Sequence, residues 1–75
     1  MATRTYSDGI RAFEITLSGT PGGDRSSWTV ERVREMSRGG KEILVPGMNR
    51  VVASTEEGAL ARACDRIDKW LLANP

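Results

Sequence analysis

Near its end the chain carries Ser54-Thr55-Glu56-Glu57, a hydroxyl residue followed three positions later by a glutamate, the reciprocal cap that opens a helix. Residues 58–72 then run without proline and place apolar side chains at Leu60, Ala63, Cys64, Ile67, Trp70 and Leu71, the spacing of one buried stripe. Such a helix needs a partner to cover that stripe. Everything before it is short, strand-like and punctuated by glycine, so the cover is expected to be a sheet. The expected fold class is α+β: an antiparallel meander of three or four strands followed by one C-terminal helix packed on one sheet face.

Residues 11–18 give the clearest strand, with Phe13, Ile15 and Leu17 on one face and Ala12, Glu14 and Thr16 on the other. Residues 1–9 are polar and expected to be a flexible terminus, although Tyr6 is placed to anchor it; residues 10–75 are assigned to a single domain. Four breakers among residues 19–25 predict a flexible loop. Residues 27–38 fit a helical stripe only loosely, and their β-branched content and flanking glycines favour a strand. In that strand Trp28 and Val30 share a face with Arg32 and Arg34 while Val33 points away, so a bulge near Glu31 or Arg32 is expected to reset the alternation.

Gly39-Gly40 predicts a two-residue type I′ hairpin. Residues 41–45 form the third strand and run into Pro46, which cannot donate to a ladder. Either the strand bends there or residues 46–49 turn and residues 50–53 add a short fourth strand; the second version is preferred.

A chain of 75 residues makes one domain at most, and at this size only about 60 to 65% of the unfolded surface is buried. Stability near the low end of the usual ~5 to 15 kcal/mol follows, and self-association would help. The formal charge of +1 does not by itself imply a polyanion partner. Arginine makes up most of the basic residues, which suits bidentate contacts but is also what a GC-rich genome places on ordinary surfaces. The single cysteine, Cys64, has no internal disulfide partner and reads as a small buried hydrophobe. No apolar run reaches the length of a membrane span and residues 1–18 lack a signal-peptide pattern, so a cytoplasmic setting is expected.

The groups that carry most chemistry are scarce. There is no histidine and no thiolate cluster for zinc, and Glu56-Glu57 point about 100° apart on a helix, which suits capping better than metal binding. Ser26, Ser27, Ser54 and Thr55 have no evident base beside them, and the glycines of residues 19–23 lack the lysine and strand-to-helix context of a phosphate loop. No catalytic residue, cofactor or metal site is assigned. The basic residues Arg32, Arg34, Arg38, Lys41 and Arg50 could gather on the sheet face opposite the helix, where a meander reads DNA or RNA. Glu14, Glu31, Glu35 and Glu42 are interleaved with them, the pattern of ordinary cross-strand pairing.

With its Phe13-Glu14-Ile15 strand, central Trp28 and Thr55-Glu56-Glu57 alanine-rich helix, the chain resembles a group of short uncharacterised bacterial proteins over most of residues 10–72. That resemblance implies the same β-β-β-α fold. Over residues 51–66 it also resembles the DNA-binding shape of AP2 domains and of the arm-binding domains of phage integrases, with acidic positions interrupting the strands that contact DNA in those families. The resulting expectation is a small non-enzymatic binding module, self-associating as a homodimer through the sheet face or edge left free by the helix. The alternative is nucleic-acid binding by the exposed sheet through the five basic residues.

Overall fold

The computed structural model describes residues 2–20 and 27–74. Five strands and one helix follow in chain order: β1 (Ala2–Ser7), β2 (Ala12–Thr20), β3 (Ser27–Glu35), β4 (Lys41–Glu42), β5 (Val52–Ala53) and α1 (Glu56–Ala73). The strands form one antiparallel sheet in the order β1-β2-β3-β4, with β5 also paired to β3, and α1 covers one face. The α+β meander with a single C-terminal helix is therefore the architecture of the protein.

Alternation in β2 sends Phe13, Ile15 and Leu17 to the helix, all fully buried. Opposite them in β3 stand Glu35, Val33 and Val30. The register shifts between Thr16 and Leu17, whose partners are Arg32 and Val30, so Glu31 is the extra residue of the expected bulge. That one insertion turns Val33 inward while keeping Arg32 and Arg34 on the far face. From the helix side Ala59, Ala63 and Ile67 complete the core, with Leu60, Cys64, Trp70 and Leu71 packed around it.

Four local expectations are corrected. Residues 1–9 are not a loose terminus: Ala2–Ser7 pairs along its whole length with β2, from Ala2 opposite Leu17 to Ser7 opposite Ala12. Gly19 and Thr20 belong to β2 and residues 21–26 of the expected loop, Ser26 among them, lie outside the described residues. The β3–β4 connection is longer than two residues, because a 3-10 turn over Met36–Arg38 precedes Gly39 and Gly40, whose φ angles are 81° and 72°. The cap of α1 is Thr55 rather than Ser54: its hydroxyl accepts the Gly58 N–H at 3.0 Å, and with Gly58 at the third helical position the reciprocal carboxylate is not part of the cap.

The expected third strand is also divided. Only Lys41–Glu42 and Val52–Ala53 are strand, and Pro46 lies in the turn between them, where Met48 N–H bonds the Val45 carbonyl at 3.1 Å. A 3-10 turn over Met48–Arg50 follows, pinned to the core by buried Val45, Met48 and Val51. Among the described residues no helix is long and apolar enough to cross a membrane.

Gly19 faces Trp28 across the β2–β3 ladder, and a Cβ at position 19 would lie 2.6 Å from the indole ring. The ring can lie flat on the strand only because nothing projects from Gly19. Gly19→Ala should therefore cost about 1 to 3 kcal/mol by overpacking, read as a lower Tm with a blue- or red-shifted Trp28 emission. An unchanged melting curve would show that the ring does not rest there.

Candidate interaction surfaces

The five basic residues assigned from sequence are divided among three places. Arg32 and Arg34 stand on the sheet face away from α1, opposite Thr16 and Glu14. Arg34 is engaged within the chain, donating to the Gly40 carbonyl at 2.8 Å and lying 3.6 Å from Glu14, whereas Arg32 makes no ion pair among the described residues. Arg38 and Lys41 sit at the far end of β3 beside Glu35, with Arg38 3.6 Å from its carboxylate. Arg50 lies in the second 3-10 turn, against α1. The rest of the open face is small and hydroxylated: Thr3, Thr5 and Ser7 in β1, Thr16 and Ser18 in β2, and Thr29 in β3.

Glu35 is the most withdrawn carboxylate of the described residues, 2% exposed. Arg11 grips it with two parallel bonds of 2.6 and 2.7 Å, and the Ser37 hydroxyl donates a third at 3.1 Å. The bond from Arg11 is the main reason the Glu35 carboxyl is held below its ordinary value, and Glu35 in turn raises Arg11. Arg11 also stacks on Trp70, its guanidinium carbon 5.1 Å from the ring centroid, and donates to the Asn74 carbonyl. A carboxylate so engaged and so readily ionised is a fastener between the sheet and the end of α1. It is not poised as a proton donor. Cys64 is likewise quiet, its thiol pushed up by burial and so poor in the reactive thiolate.

The two flanks of α1 differ in charge. Along β1, Glu56 meets Arg4 at 3.3 Å and Asp68 accepts the Tyr6 hydroxyl, which pushes the phenol up to about 12. On the other flank Arg62, Arg66 and Lys69 face Arg50 across a groove floored by Val51 and Ala61. Arg66 lies over Gly47, so close that a Cβ there would be 2.8 Å from its guanidinium. Lys69 pairs with Asp65 at 3.3 Å, while Arg50, Arg62 and Arg66 make no ion pair with any described carboxylate. Arg62, Arg66 and Lys69 repeat at the i, i+4, i+7 spacing of one helix face. That signal is present in the sequence, but the sequence reading takes its basic residues only from the strands and their turns.

The edges of the sheet also differ. Beyond β3 the edge is interrupted, since β4 and β5 are each two residues long and the Glu31 bulge lies between them. On the other side β1 presents six residues, Ala-Thr-Arg-Thr-Tyr-Ser, with no proline, glycine, lysine or bulge. Its one charge, Arg4, is turned to the helix.

No protein-family model, no curated protein and no solved structure matches the chain. The functional reading therefore rests on this geometry.

Proposed function

We propose that the protein is a small non-enzymatic binding module of the cytoplasm that works as a homodimer, joined by antiparallel pairing of β1 with β1 of a second copy. The observation that carries this reading is the contrast between the two sheet edges. Edges left unprotected by charge, proline, bulges or short strands are templates for pairing, and β1 has none of these devices while the opposite edge has two. A two-fold axis at β1 would unite the two sheets into one and satisfy the outer row of backbone groups isologously. The thiol of Cys64, free of any disulfide, is consistent with a reducing compartment. A chain without histidine, whose buried carboxylate is committed to Arg11, favours binding over catalysis.

Sedimentation velocity tests it. The wild-type chain should sediment as a dimer, and Thr3→Lys combined with Thr5→Lys should give a monomer with unchanged circular dichroism, because these exposed positions would set like charges against each other across the axis. A wild-type monomer throughout the micromolar range would overturn the proposal.

A further inference from the structure

Beyond self-association, we propose that the groove between residues 46–50 and the basic flank of α1 binds the phosphodiester backbone of a nucleic acid. Four cations, Arg50, Arg62, Arg66 and Lys69, line one cavity of about 380 Å³, and Asp65 is the single carboxylate among its lining residues. Three of the four have no internal counter-ion, so the positive field of the groove is directed at solvent. The acidic residues Glu56 and Asp68 lie on the opposite flank and are engaged by Arg4 and Tyr6, which leaves the groove's charge uncancelled.

The groove is also shaped. Its floor is small and apolar at Val51 and Ala61, and Arg66 is held against the backbone of Gly47. A second cavity of about 330 Å³, lined by Pro46, Arg66, Lys69 and Trp70, continues it toward the end of α1. From Arg62 to Lys69 the helix rises by about 10 Å, against one phosphate per ~3.4 Å along a DNA strand, so the row matches about three consecutive phosphates. Arginine forks bind phosphate oxygens bidentately, and a regularly spaced polyanion uses the whole row where a single phosphate would use one member. This surface is separate from the open sheet face and depends on neither Arg32 nor Arg34.

Fluorescence anisotropy with short fluorescein-labelled DNA, single-stranded and duplex, tests the assignment. Binding should weaken with salt at a log–log slope of about −3, as four phosphate contacts require. Arg62→Gln with Arg66→Gln should lower affinity at least tenfold and reduce the slope by about two, and Arg50→Gln alone by about one. The substituted side chains of the helix are exposed, and an unchanged melting curve for each variant separates lost contacts from lost fold. The proposal is overturned if neither DNA binds at low salt. It is equally overturned if Arg32→Gln abolishes binding while the Arg62→Gln, Arg66→Gln protein retains it. Binding of poly-glutamate or phosphatidylglycerol vesicles in place of DNA would also overturn it.

Discussion

An Ile67→Asp protein is expected to lose cooperative thermal unfolding altogether. Ile67 is fully buried on the central stripe of α1, among Ala59, Ala63 and the β2 residues Phe13, Ile15 and Leu17. Removing its side chain forfeits about 2 to 5 kcal/mol in transfer and cavity terms, and a carboxylate in that place adds several more through desolvation with no partner. At the usual ~0.05 to 0.15 kcal/mol per residue, the whole domain has roughly 4 to 11 kcal/mol to lose. Circular dichroism should show a featureless melt. Ile67→Val, which removes one methylene at about 0.5 to 1.5 kcal/mol, should keep a sharp transition at lower Tm. A cooperative melt of the aspartate variant at wild-type temperature would be incompatible with α1 lying on the sheet.

The second large effect belongs to Glu35. Glu35→Ala leaves Arg11 beneath Trp70 without its carboxylate, and breaking a buried pair of this kind costs about 3 kcal/mol. For a domain of this size Tm should fall by roughly 12 to 24 °C. The same pair predicts the acid limb of stability. Because the folded carboxyl titrates below its ordinary value of 4.5, the unfolded chain takes up the proton first as pH falls. The stabilisation by Glu35 is thus complete above that ordinary value and is lost as pH drops through the lower folded one. Urea unfolding should show the wild type losing its advantage over Glu35→Gln in that acid window. A gap between the two proteins that stays constant into acid would show that the pair contributes no pH dependence.

What could be read in advance follows physical periodicity. Phe13, Ile15 and Leu17 alternate without interruption and face one core, so β2 was legible, and the conflict between Val30 and Val33 located the bulge. The stripe of α1 was legible for the same reason, although Ala59, buried as deeply as Ala63, lay outside it in the sequence reading because alanine carries little hydropathy contrast. By contrast β1 alternates hydroxyls with Arg4 and Tyr6, whose inward contacts are polar and lie on a helix more than fifty residues away. Strands of two residues such as β4 and β5 are shorter than any period, and only their pairing to β3 defines them. The Glu35–Arg11 fastener and the groove around Arg66 have a related cause: charges read as solvated when seen singly, and tertiary folding decides which are matched. Arg11 reaches Glu35 across 24 positions, while Arg50, Arg62 and Arg66 end beside one another without a carboxylate.

The two tryptophans occupy opposite ends of the helix–sheet contact. Trp28 lies over Gly19 and pairs in register with Ala53, next to the start of α1, while Trp70 packs edge-on to Phe13 under Arg11 near its finish. The chain thus has a native optical probe at each end of its core. With one indole replaced at a time, the emission of the other would report whether the helix lifts from the sheet as a unit or peels away from one terminus first.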